Sequence, residues 1–197
     1  MTEQELIQGC LYNDMLAQRE LYNRYSPKML ALCYRYAQNR EDAEDMLQEA
    51  FVKVFSKMHT FQNKGAFEGW IRRIMVHTCI NVLKRNKKFA DHADISEAFD
   101  LQLHEESIAS ILQAKQVVAC IRLLPVGFRT VLNLYAVEGY NHKEIAELLD
   151  IGESTSRSQY ARAKSALLNL LIQKKIIQYP QQDATWQVAL LPVVHKQ

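Results

Sequence analysis

Thr155, Arg157, Ser158, Gln159, Arg162 and Lys164 crowd into a short segment whose apolar members, Tyr160, Ala163 and Leu167, recur at helical spacing. On a helix the six polar residues point away from the apolar side. Arg can read guanine and Gln can read adenine through paired hydrogen bonds, while Ser, Thr and Lys can hold phosphates. The chemistry on offer is recognition of nucleic acid rather than bond-making. An ordinary helical hairpin with a polar face carries the same residue types, so this segment alone favours DNA without deciding for it.

Those residues need a helix aimed outward, and the chain before them supplies the frame. Asn141-His142-Lys143-Glu144 reads as an N-cap with Glu three residues on, which opens a helix with Ile145, Ala146 and Leu149 on its inner face. Asp150-Ile151-Gly152-Glu153 is a turn with one apolar plug, Ile151, and Ser154 is expected to cap the next helix. Two short helices joined by a Gly-containing turn form a helix-turn-helix, whose second helix enters the major groove. Upstream, helices are expected near 108–123 and 127–136, split by Leu124-Pro125, with a turn at Val137-Glu138-Gly139-Tyr140.

The N-terminal half is also helical by its apolar spacing. Thr2 with Glu5 forms a capping box for a first helix. Asn13 is expected to open a second, through Leu16, Leu21, Tyr22 and Tyr25, and Ser26-Pro27 a third with Met29, Leu30, Cys33, Tyr36 and Ala37 on one face. From Asn39, the residues Ala43, Leu47, Ala50, Phe51, Val54 and Met58 make one buried stripe, and Asp45, Gln48 and Glu49 fall away from it. Phe61–Glu68 is a polar break. A helix then runs from about Phe67 to Lys87, with Phe67, Trp70, Ile71, Ile74 and Thr78 along one side and a cationic decoration of Arg72, Arg73, Lys84, Arg85, Lys87 and Lys88.

Charge divides the chain the same way. Residues 89–107 hold six carboxylates and no Lys or Arg, between two segments of net positive charge. Two basic modules on an acidic, flexible linker suit nucleic acid, although solvated charged surface gives the same pattern. The fold class is therefore all-α: two small helical domains, 1–88 and 108–175, joined by a linker at 89–107, the C-terminal one containing the helix-turn-helix. An apolar tail follows at 176–197. Its run Trp186–Val194 is too short to cross a membrane and is expected to dock on a domain or a regulator. The four cysteines, Cys10, Cys33, Cys79 and Cys120, form no CxxC pair and sit in apolar helical patterns, as free thiols of a reducing cytoplasm do. The six His are scattered, so no metal site and no cofactor is expected. Neither a nucleophile–base pair nor a Gly-rich phosphate loop is visible, and an enzyme is not expected.

Asp42-Ala43-Glu44-Asp45-Met46-Leu47-Gln48-Glu49-Ala50-Phe51 resembles the polymerase-binding helix of bacterial RNA polymerase sigma factors. Gly65-Ala66-Phe67-Glu68-Gly69-Trp70-Ile71-Arg72-Arg73-Ile74 resembles the promoter-melting segment after it. Leu123-Leu124-Pro125, Glu138-Gly139-Tyr140 and Glu144-Ile145-Ala146 resemble the lead-in to the sigma helix-turn-helix. The pieces stand in family order and spacing over about residues 10–175. The short linker is similar to that of the two-domain extracytoplasmic-function group.

The resemblance implies that Asp45, Gln48 and Glu49 face the clamp helices of the largest polymerase subunit, and that the flap of the second-largest is a further contact. It implies a role in recognising the −35 and −10 promoter elements and opening the strands for a specific set of genes. Asn63, Lys64 and Phe67 would border a pocket for a flipped base, with Arg73, Asn81, Lys84 and Arg85 along the single strand or its duplex edge. Phe61, Phe67 and Trp70 could stack on a base, but at helical spacing Phe67 and Trp70 fit a core better. Thr155, Arg157, Ser158, Gln159, Arg162 and Lys164 would read the −35 duplex. An anti-sigma partner is expected, and the acidic linker would thread toward the RNA channel or serve as a spacer. Ser156 stands where the family usually has Val, which weakens or hydrates a core contact. Gln159 and Ala161 also depart from the common residues, so the sequence read does not carry over. A DNA-binding regulator that never touches polymerase remains a rival; it would not need the Asp45/Gln48/Glu49 face.

Overall fold

A computed structural model describes residues 1–62, 64–86 and 108–177, with side chains from 114 onward in the last of these segments. The acidic linker, Asn63, Lys87, Lys88 and the Trp186–Val194 run lie outside the described residues. The chain divides into two compact units, Met1–Lys88 and Phe89–Gln197. The described residues form eight α-helices and no strand.

In the first unit, α1 (Glu3–Leu11) opens on the Thr2/Glu5 capping box. Helix α2 spans Met15–Tyr36, α3 Arg40–Ser56 and α4 Phe67–Arg85, with a 3-10 turn at Met58–Thr60 between the last two. Two expectations are corrected. Asn13 closes the first turn in a left-handed conformation (φ 59°), and Asp14 caps α2 through its side chain to the Leu16 amide. Leu16 is exposed rather than inward. The Ser26-Pro27 step does not start a helix, because α2 runs straight through Pro27. Proline lacks the N–H that would bond to the Asn23 carbonyl, but Asn23 and Pro27 both lie on the exposed side, where water can satisfy that oxygen. The buried side continues unbroken through Leu21, Tyr25, Met29, Leu32 and Cys33, and its packing outweighs the lost bond.

Glycine lets α1 approach α2 closely: a Cβ on Gly9 would run into the Ala17 side chain. The stripe on α3 is as read through Val54, with Met46 added to it, and Met58 is buried in the 3-10 turn beyond the helix. The face of α4 is rotated from the expected one. Phe67, Ile71, Met75, Thr78, Cys79 and Leu83 are buried, while Trp70 and Ile74 sit half-buried at the rim. Cys33 of α2 meets Cys79 of α4 at 3.7 Å between sulfurs, and all four cysteines are free and buried. Burial pushes the Cys10 thiol up to about 11, so it stays protonated and unreactive near neutrality.

In the second unit, α5 is Ile108–Arg122, α6 Val126–Leu132, α7 His142–Leu149 and α8 Glu153–Gln173. The helix expected to reach 136 instead widens after Leu132 into a π-turn, Asn133–Val137, closed by the Glu138 amide on the Asn133 carbonyl at 2.9 Å. Gly139, at φ 75°, takes the chain out of it in a conformation that suits glycine. The Asn141/Glu144 capping box starts α7 as read, and Asp150 ends it in the left-handed region. Ser154 is not the cap of α8: the helix begins at Glu153 behind Gly152. Val117, Cys120, Ile121, Leu124, Leu132, Ala163 and Leu171 form the core, with Tyr160 and Leu167 packed against it. The Arg129 guanidinium, buried to 2% exposure, donates to the last carbonyl of α5 at Arg122 (3.0 Å), where a cation suits the helix terminus.

Candidate functional site

Three exposed faces carry the residues singled out by sequence. On α3, the buried stripe turns Asp45 and Gln48 fully outward. Glu49 is half-buried and engaged: Lys53 donates to one carboxylate oxygen at 2.8 Å and Arg85 of α4 to the other at 2.8 Å. The Arg85 bond first, then the Lys53 bond, hold the Glu49 carboxyl below the usual carboxylate range. Val52 lies four residues past Gln48 and seven past Asp45, on the same outward side, and is 68% exposed. Sequence reading passed over Val52; the available signal was an apolar residue off the buried stripe.

On α4, Arg73, Asn81 and Lys84 are exposed along one side, with His77 between the first two. Arg85 is exposed too, but bound to Glu49. Lys64 is exposed in the loop before the helix. Glu68 in the first turn of α4 pairs with Lys28 of α2 at 3.0 Å, which fixes where the loop meets the helix. Phe67 is not on this surface. It is 1% exposed and surrounded by Tyr25 (centroids 5.7 Å), Phe61 (4.9 Å) and Trp70 (5.7 Å, nearly parallel). Phe61 and Trp70 are the half-exposed rim of this cluster. Tyr25 is itself tied down, its hydroxyl donating to Glu3 at 2.8 Å.

On α8, Thr155, Arg157, Ser158, Arg162 and Lys164 are exposed. Arg157 pairs with Glu153 one turn back, and the Ser158 hydroxyl donates to the Thr155 carbonyl at 3.0 Å. Gln159 departs from the expected outward position: it is half-buried, with its amide over Gly127 of α6. Ser156 is fully buried, and its hydroxyl meets His142 Nδ1 at 2.9 Å. Among the described residues no group of three or more potential metal ligands comes together. No helix among them is long and apolar enough to cross a membrane.

A helical unit with a polar, exposed α3 face, followed by a unit in which a capped helix and a tight turn lead into a second helix with an exposed cationic side, defines a protein of the helix-turn-helix class. Residues 21–89 match the family described as Sigma-70 region 2, and residues 114–167 match Sigma-70, region 4. The ECF RNA polymerase sigma-E factor of Haemophilus influenzae is 30% identical over 181 residues, covering 86% of this chain and 95% of the relative. The sigma-E factor of Escherichia coli K12 is 29% identical, covering 86% and 94%. The RNA polymerase sigma-H factor of Pseudomonas aeruginosa is 29% identical, covering 84% and 91%. The chain thus belongs to the sigma-70 family, in its extracytoplasmic-function branch. Among solved structures, the sigma factor RpoE in complex with the anti-sigma factor NepR from Bartonella quintana overlaps at a TM-score of 0.49 with 18% identity, covering 78% of this chain and 95% of that one.

Proposed function

We propose that this chain is an alternative sigma factor that docks on core RNA polymerase through α3, holds the melted −10 strand on α4, and reads the −35 duplex with α8. The observation that carries the proposal is the division of α3. Ala43, Met46, Leu47, Ala50, Phe51 and Val54 go into the core, and Asp45 and Gln48 remain bare on the opposite side, beside exposed Val52. An acidic and amide-bearing face with an apolar centre suits a basic partner helix. The cationic side of α4 supplies the electrostatics that a single strand needs, and the half-exposed rings of Phe61 and Trp70 offer stacking beside it. Arg157 and Arg162 project from α8 as base- and phosphate-contacting groups do.

The activity lies in the cell interior, where polymerase and promoter are. No bond of a substrate changes at this protein's own residues; binding energy places the polymerase and favours the open strands. An inhibitory anti-sigma partner belongs to the same reading, by membership of the family. Reconstituted transcription with core polymerase and a promoter library tests it. Promoter-selective initiation that depends on the added chain is expected. A chain that neither binds core polymerase nor directs initiation would sink the proposal.

A further inference from the structure

The recognition helix is fixed to its support by a polar contact. Ser156 sits in the first turn of α8, fully buried, where its hydroxyl needs a partner. His142, the first residue of α7, provides one through Nδ1 at 2.9 Å. The imidazole is in turn held on two sides. It stacks on Tyr135 of the π-turn (centroids 4.4 Å, planes 16° apart) and meets Tyr160 of α8 edge-on at 5.8 Å. Tyr135 and Tyr160 touch each other at 4.5 Å. Three elements thus converge on one ring. Its nitrogen bonds Ser156, the residue next to Arg157 and within two turns of Arg162 on the same helix.

We propose that His142 is a positioning residue for the recognition helix, acting through a directional hydrogen bond to Ser156 that sets how α8 is presented to the duplex. An apolar contact is tolerant of small slides and rotations. A hydrogen bond is not, because it weakens steeply when its angle is lost. The bond therefore fixes the orientation of the base-reading side chains, and its loss shows as lost discrimination before lost folding. This rests on the reading that α8 contacts the −35 duplex.

The geometry separates the bond from the ring. An Asn side chain places a polar atom where Nδ1 lies, whereas Gln reaches the position of Nε2. The test uses the full chain in holoenzyme with core polymerase. It compares initiation from a cognate promoter with initiation from the same promoter carrying a scrambled −35 element, and the melting temperature of each variant is measured in parallel. His142→Ala and His142→Gln are expected to lower the cognate-to-scrambled ratio by about tenfold, the factor that corresponds to one net hydrogen bond of roughly 1.4 kcal/mol. His142→Asn is expected to restore most of it. Ser156→Ala should lower the ratio as His142→Ala does, and the double variant should fall no further than either single one. If Asn behaves as Ala does, or if the two losses add, the hydrogen bond does not position the helix. Arg162→Ala separates the two levels. A ratio unmoved by Arg162→Ala means that α8 is not the reading helix. A ratio that Arg162→Ala collapses but the His142 and Ser156 variants leave alone overturns the positioning role by itself.

Discussion

Replacing Phe67 by Ala separates two accounts of the aromatic cluster at the start of α4. Phe67 is 1% exposed and packed by the rings of Tyr25, Phe61 and Trp70, so its truncation opens a cavity in the first unit. Large-to-small changes of this kind cost about 3–5 kcal/mol. A unit spanning Met1–Lys88 has a total stability of roughly 4–13 kcal/mol at the usual value per residue. Each kcal/mol moves its melting point by about 4–8 °C, so even the smallest expected loss lowers it by about 12 °C. Phe67→Leu refills most of the volume and should cost roughly 1 kcal/mol. Phe61→Ala, at the half-exposed rim, should leave folding much closer to the parent. It should weaken strand capture by about 1–3 kcal/mol if a base stacks there. The measurements are a circular-dichroism melt of each variant and promoter opening by the holoenzyme, followed by permanganate reactivity of unpaired thymines. A Phe67→Ala protein that melts where the parent does and yet opens no promoter would overturn the core placement and return Phe67 to the strand.

On α3, Asp45→Arg with Gln48→Ala should abolish co-purification with core polymerase while shifting stability by no more than about 0.5 kcal/mol, since both residues are exposed. A collapsed melting curve would show that the outward face was misassigned. Val52→Asp should weaken the same interaction at unchanged stability; full binding by this variant would exclude Val52 from the interface. Gly9→Ala should destabilise the first unit by about 1–3 kcal/mol, because the new methyl meets the Ala17 side chain on the facing helix. An unchanged melt would mean that α1 can shift without cost. Acid titration tests Glu49, whose folded-state pKa is depressed by Arg85 and Lys53. Its contribution is present above the ordinary carboxylate pKa and is lost as pH falls through the folded value. At this partly exposed site it amounts to about 1 kcal/mol or less. Glu49→Gln should flatten that part of the stability–pH curve, and an identical acid limb would show that the ion pairs contribute nothing.

Local chemistry was readable wherever one residue type satisfies its own neighbours. The Thr2/Glu5 and Asn141/Glu144 boxes close within four residues, and both form. The stripe on α3 was legible because every third or fourth position is apolar. Punctuation failed where a longer-range gain outweighed it. Pro27 reads as a break, but a continuous buried side from Leu21 to Cys33 carries α2 past it. Asn13 and Ser154 are as good caps by type as Asp14 and Gly152; the choice depended on where the flanking helices pack. At the candidate sites, spacing placed Asp45, Gln48, Arg157 and Arg162 on exposed faces, and Arg73 and Asn81, which the family resemblance pointed to, are exposed as well. Spacing could not foresee that Gln159 turns onto Gly127, because that depends on how α6 lies across α8. The Ser156 departure was legible as a weakened core contact, but its repair by His142 was not, since the partner sits 14 residues away on another helix.

The bond between Glu49 and Arg85 joins two helices for which separate binding roles are proposed. Its consequence lies in how such chains can change over generations. A substitution at position 49 made to suit a different polymerase surface leaves the exposed Arg85 guanidinium to water in place of its carboxylate. A substitution at 85 made to suit a different strand frees the carboxylate at 49. The two positions therefore share one partly exposed ion pair, so that a change made to fit one macromolecule touches, by about 1 kcal/mol or less, the surface fitted to the other.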